Sequence, residues 1–240
     1  LPLLPFLQEK EYYVLVIPMD VETPPGRFLR PQAMVEEAIT RNWAYPVSFR
    51  LDLAKARSAD PLVVAAERSR FLGLVDGFRR RPKGIITDSQ AMDVMHPWCP
   101  ADIQLTTFSI VMINYMSGGR LRVFVDGLRA VAALKSGDKV LIAEACNHSR
   151  IGEDIGTVQI PKYLQTRIPG LVVEHNFGGT FQDNQELASY KLIVHCGACM
   201  ISPQKLSARL RDLESLGIPL TNYGLMLAYM GGPAALAKVL

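Results

Sequence analysis

The chain has 240 residues, 49% hydrophobic and 20% charged, which is enough to bury a core without staples and far from the composition of disordered chains. Its 26 basic and 23 acidic residues leave a net charge of +3, too weak an overall field to mark a binder of nucleic acid or anionic membrane. Four cysteines, no basic and apolar leader, and no apolar run near the ~18 residues of a membrane span argue against a secreted disulfide scaffold and point to a soluble protein of the reducing cytoplasm.

The opening LPLLPFLQEK lacks an initiator Met and runs through a short proline-bearing stretch into a strand, which reads as a piece of a longer chain. YYVLVIP (12–18) is predicted as a buried strand, PQAMVEEAITRN (31–42) as a helix with Pro31 in its first turn, and YPVSF (45–49) as a second strand. PLVVAAERSRFLGLVDGF (61–78) reads as a helix and GIITDS (84–89) as a third strand, which completes a βαβαβ unit. The basic run Arg79, Arg80, Arg81 and Lys83 falls at the end of that predicted helix, where cations favour the dipole, and reads as solvated rather than as a nucleic-acid patch. QAMDVMHPWCPADIQL (90–105) has two prolines and no clear period and reads as an interdomain linker.

Beyond it, TTFSIVMINYM (106–116) is predicted as a helix stopped by Gly118 and Gly119, with another helix near 126–134. The order continues as strand KVLIAEA (139–145), a helix near 159–168, strand LVVEHN (171–176) and strand YKLIVH (190–195). Helix PQKLSARLRDLESL (203–216) carries full punctuation, with Ser202 as cap, Pro203 in the first turn and Gly217 to close it. Strand IPLTN (218–222) and a helix from about 225 end the chain, and no internal sequence repeat is visible. The alternation predicts an α/β protein of two domains, 1–91 and 92–240, each a mostly parallel sheet flanked by helices. The first is small enough to leave sheet edges to cover, and a homodimer joining edge strands of two copies would cover them.

The cysteines gather at strand ends. Cys146 follows KVLIAEA directly and Cys196 with Cys199 follow YKLIVH, so ACNH and HCGAC meet at the carboxyl edge of one predicted parallel sheet. Gly197 and Ala198 keep bulk out of the turn between Cys196 and Cys199, and the predicted helix from Ser202 directs its positive end nearby. Such a constellation can hold an iron-sulfur cluster by three cysteines, bind a structural zinc, work as a redox dithiol or sit inert. Against the dithiol stands a helix that begins only after Pro203, and against zinc the unusual C-x-H half-site. Cys99 reads as a structural or incidental thiol, and His96 and His175 lie outside the pattern. FGGTF (177–181) reads as a turn beside the site rather than a phosphate loop, and Asn222 and Tyr223 either line the crevice or serve the turn and packing.

EACNHS, a gap of 46 residues between the two histidines, and HCGAC together resemble the C-x-H…H-C-x-x-C signature of the [FeFe]-hydrogenase maturation factor HydF family. VLIAEACNH, EDIGTVQIPKYL, LIVHCGACM and GIPLTNYGLMLAY are similar to its C-terminal domain, and YVLVIPMD and GIITDSQ to its dimerising domain. The family's phosphate loop G-x-x-x-x-G-K-[ST] does not occur in these residues, so the resemblance omits the GTPase domain, and GTP would be bound only by a full-length protein. The resemblance implies a scaffold and not an enzyme in this part of the chain. It would carry a [4Fe-4S] cluster on Cys146, Cys196 and Cys199, receive a diiron precursor from radical-SAM maturation enzymes and deliver it to the hydrogenase. His148 and His195 fall on the motif's histidine positions and are candidate metal residues. Among His148, His195, Glu144, Glu153 and Asp154, His148 is the first choice for a displaceable fourth ligand.

Overall fold

The computed structural model describes residues 1–19, 25–145, 154–177 and 184–240. The described chain divides into two compact units, Pro2–Phe108 with Gly231–Leu240, and Ser109–Met230 with Leu1.

The first unit contains β1 (Tyr12–Ile17), α1 (Arg30–Arg41), β2 (Tyr45–Arg50), α2 (Leu53–Ala56), α3 (Pro61–Asp76), β3 (Gly84–Thr87), α4 (Met92–Trp98) and β4 (Gln104–Thr107). Its four strands are all parallel in the order β2-β1-β3-β4. In β3 every residue is buried, as is all of β1 after Tyr12, the burial expected of central parallel strands covered on both faces. Asp60 caps α3 by accepting from Leu62 N at 2.9 Å, and Pro61 supplies the first turn.

The stretch read as a linker is corrected by the structure. Residues 89–91 form a 3₁₀ turn, α4 follows with Pro97 near its end, and β4 adds to the sheet by pairing with β3. Helix α3 also stops at Asp76, so the basic run lies beyond it. There Arg80 pairs with Glu11, and Arg81 with Asp76 and Asp102.

The second unit begins within α5 (Phe108–Met116) and continues with α6 (Leu121–Gly127), α7 (Arg129–Ala133), β5 (Lys139–Glu144), α8 (Ile160–Arg167), β6 (Val172–Phe177), α9 (Asn184–Leu187), β7 (Leu192–His195), α10 (Pro203–Ser215), β8 (Leu220–Asn222) and α11 (Tyr223–Met230). The last helix, α12 (Pro233–Val239), belongs to the first unit. A π-helical turn, Ile155–Gln159, leads into α8. The strands are again all parallel, in the order β6-β5-β7-β8. Both sheets therefore share one relative order although the sequence carries no repeat, and the fold is α/β as its alternating elements predict.

Val140 to Ala143 on β5 and Leu192 to Val194 on β7 are fully buried and form the centre of this unit. Gly127 at the end of α6 meets β8 so closely that a Cβ there would lie 1.9 Å from Leu220 O. Ser202 caps α10 by accepting from Lys205 N at 3.2 Å, and Gly217 closes it with φ +66.

Candidate metal centre

The chain runs from β5 outward to β6 and then returns to β7 on the other side of β5, so the order reverses between β5 and β7. The crevice outside the carboxyl ends of such a strand pair is where open α/β sheets bind ligands. Ala143, His195 and Asn222 stand in register across β5, β7 and β8, which brings their following residues to one edge. Cys146, His148 and Glu153 follow β5 in sequence but lie outside the described residues, as does most of FGGTF.

Cys196 follows β7 and is 1% exposed. Its N–H donates to Ala143 O at 3.0 Å, and its sulfur accepts from Ala145 N at 3.2 Å. Two consecutive links thus tie the end of β7 to the end of β5. Cys199 is half-buried on the turn that follows. Ala198, rather than Gly197, takes the left-handed backbone, with φ +58 and no exposure, a conformation that costs an L-residue roughly 1–2 kcal/mol.

His195 is 1% exposed, and both its ring nitrogens have partners: Nδ1 lies 2.9 Å from Cys196 O and Nε2 lies 2.7 Å from Arg209 Nη1. Arg209 is 3% exposed on α10. Burial lowers the pKa of its guanidinium, and the neighbouring Cys196 sulfur opposes that shift. Sequence reasoning missed Arg209, yet a signal was there: it shares the inward stripe of α10 with Leu206, Leu210 and Leu213, where a charge has no place without a partner.

The carboxylates at this edge are engaged. Glu144, 3% exposed, accepts from Tyr223 Oη at 3.2 Å. Asp154, 2% exposed, accepts from Thr157 N at 2.7 Å and from Thr157 Oγ1 at 2.9 Å. Asn222 Nδ2 donates to Ser109 Oγ at 2.7 Å, and its Oδ1 accepts from Leu225 N at 3.1 Å, so it caps α11. His175 Nε2 donates to Gly156 O at 3.1 Å and its ring stacks on Phe177. Cys99 belongs to the first unit, where burial pushes its thiol up to about 11.

Among the described residues no three His, Cys, Asp or Glu side chains converge tightly enough to hold a metal ion. The donor chemistry nevertheless fits an iron-sulfur cluster: two cysteines on a C-x-x-C turn, a backbone N–H directed at one sulfur, and a guanidinium bonded to the adjoining His195. No helix of the described residues is long and apolar enough to cross a membrane.

No curated protein sequence matches the chain significantly. Among solved structures, an ABC transporter solute binding protein from Burkholderia multivorans aligns over 88% of this chain and 77% of its own at 13% identity and a TM-score of 0.27, too low to inform the fold. The Hydrogen maturase F dimerization domain matches residues 58–117, and the Hydrogen maturase F tetramerization domain matches residues 122–240. Those two matches together take in most of the chain, which belongs to the Hydrogen maturase F family.

Proposed function

We propose that the chain is a carrier in hydrogenase maturation, in which self-association is combined with an iron-sulfur centre at the switch point of the second sheet. The observation that carries this reading is the pairing of strand ends: Cys196 is bonded through both its N–H and its sulfur to the end of the strand that leads into Cys146. Cys146, Cys196 and Cys199 would hold a [4Fe-4S] cluster, and His148 is the first candidate for the displaceable fourth position. The cluster would supply an anionic, redox-active anchor. The chain's own residues hold the C-x-x-C turn, direct an N–H at one sulfur and place a positive charge against the adjoining His195.

The cargo in this reading is a diiron precursor, taken from radical-SAM maturation enzymes and passed to the [FeFe]-hydrogenase. The residues described here bind and release rather than turn over a substrate, and GTP chemistry is not assigned to them. Self-association is supported by the two matched descriptions, dimerization for 58–117 and tetramerization for 122–240, where the sequence reading anticipated a dimer alone. A monomeric mass by light scattering at micromolar concentration would overturn that part.

Anaerobic reconstitution with iron and sulfide, with metal analysis and EPR of the dithionite-reduced chain, tests the centre. About four irons per chain with an S = 1/2 signal, lost in Cys146→Ser, Cys196→Ser and Cys199→Ser, is the expected result. Zinc retention without iron uptake would replace it with a structural metal site. Disulfide reductase activity lost in Cys196→Ser and indifferent to Cys146→Ser would replace it with a dithiol oxidoreductase.

A further inference from the structure

Building on the carrier reading, we propose that His195 is a positioning residue for the C-x-x-C turn and not a metal ligand, and that Arg209 holds it in that role. A guanidinium has only N–H donors, so the 2.7 Å contact from Arg209 Nη1 makes His195 Nε2 the acceptor. The ring proton then sits on Nδ1. The second contact demands the same: Cys196 O can only accept, and Nδ1 at 2.9 Å must donate to it. Two independent partners thus select one neutral tautomer. The lone pair that iron would need is spent on Arg209, and the other nitrogen carries the proton.

The geometry also says what the pair accomplishes. The Cys196 carbonyl begins the peptide that enters the turn, and Ala198 two residues on is held in the left-handed region. Fixing that carbonyl fixes the plane from which Gly197, Ala198 and Cys199 depart, so the separation of the two sulfurs is set before any metal arrives. Arg209 reaches the site from the inward stripe of α10, whose own start is fixed by the Ser202 cap. Its charge lies against the ring of His195, the residue that precedes Cys196, where it offsets the negative charge that thiolates and a cluster bring together.

The test begins on the 240-residue chain before iron is added. In ¹⁵N-histidine protein, the His195 resonances, assigned by their loss in His195→Asn, should show the proton on Nδ1 and an unprotonated Nε2. A proton on Nε2 would overturn the proposal, and this readout does not depend on whether a cluster can form. After reconstitution, His195→Asn should keep the g-values and the ¹⁴N couplings of the wild type, because its amide N–H replaces the donor at Nδ1. Loss of a strong imidazole coupling in that variant would make His195 a ligand. Arg209→Met should weaken iron retention against a chelator by about 10–100-fold and move the reduction potential negative, with partial recovery in Arg209→Lys. Wild-type loading and potential in Arg209→Met would remove Arg209 from the device. A wild-type chain that takes up no iron but shows the Nδ1 tautomer would sink the carrier reading and leave the placement of His195 standing.

Discussion

The N–H of Ala145 and the sulfur of Cys196 lie 3.2 Å apart although 51 residues separate them in sequence. That bond gives Cys196 a structural role besides its proposed one as a cluster ligand. Cys196→Ala should therefore cost the metal-free chain about 1 kcal/mol, the usual worth of one buried hydrogen bond, and should also abolish iron loading. Urea denaturation of the metal-free variant against wild type measures the loss, and unchanged stability would show that the sulfur contact contributes nothing.

Cys99 presents the opposite case, a thiol whose chemistry is suppressed. Burial is the main cause of its rise from the ordinary 9.0 to about 11; the neighbouring Lys238 opposes it. Its Sγ donates to Ile103 O at 3.5 Å, and Lys238 Nζ donates to its carbonyl at 2.5 Å. A raised acid favours the folded state while it stays protonated, so its contribution is complete below pH 9 and is lost as the pH climbs through about 11. The loss should be on the order of 2 kcal/mol relative to Cys99→Ala, whose folded state has no such proton to lose. Denaturation midpoints of both proteins from pH 7 to 11 should converge at the top of that range. At pH 8 iodoacetamide should label Cys199 well before Cys99.

The same contrast shows what the sequence made legible. Helix α10 could be read in full because its signals are local: Ser202, Pro203 and Gly217 act within a few residues of where they stand. Strands β5 and β7 could be read because central parallel strands are continuous apolar runs. Strand β4 could not, since Gln104–Thr107 is short, mostly polar and passes into α5 with no residue between. Pro97 and Pro100 gave the region before it the look of a linker. The cysteines mark the candidate site in the sequence, whereas the His195 to Arg209 contact depends on how α10 packs against the turn, which no spacing rule encodes. The strand orders were equally hidden, because sequence alternation predicts parallel pairing without saying which neighbours pair.

In the first unit, Glu67 is 4% exposed on α3 and does three things at once. It accepts from Asp52 N at 2.9 Å and forms two bonds with Arg70, whose guanidinium also lies 4.2 Å above the Phe49 ring. The Arg70 hydrogen bonds, chiefly, hold its carboxyl below the ordinary carboxylate value, while burial opposes them. A depressed acid stabilises the fold above the unfolded pKa of 4.5 and ceases to do so as the pH falls through the lowered folded value. Glu67→Gln should thus cost about 1–2 kcal/mol at pH 7, with the gap from wild type narrowing in acid. A gap that stays constant from pH 7 to 3 would assign the effect to packing alone.

Glycines in two helices should respond in opposite senses to the same change. Gly73 lies on α3 with nothing within 4 Å of the space a Cβ would fill, so Gly73→Ala should stabilise by about 0.5–1 kcal/mol through helix propensity. Gly127 closes α6, where propensity favours alanine equally, but its Cβ would stand 1.9 Å from Leu220 O and 2.5 Å from Leu220 C. Those are backbone atoms of β8, and β8 holds its place by pairing with β7, so neither side can yield cheaply. Gly127→Ala should cost about 3 kcal/mol or more, reversing the sign that propensity alone gives. Because β8 flanks the strand that ends in His195, the variant should also lose iron retention, while Gly73→Ala should leave it untouched. Thermal melts of the two variants against wild type check the first claim, and a gain of stability in both would refute the close approach of α6 to β8.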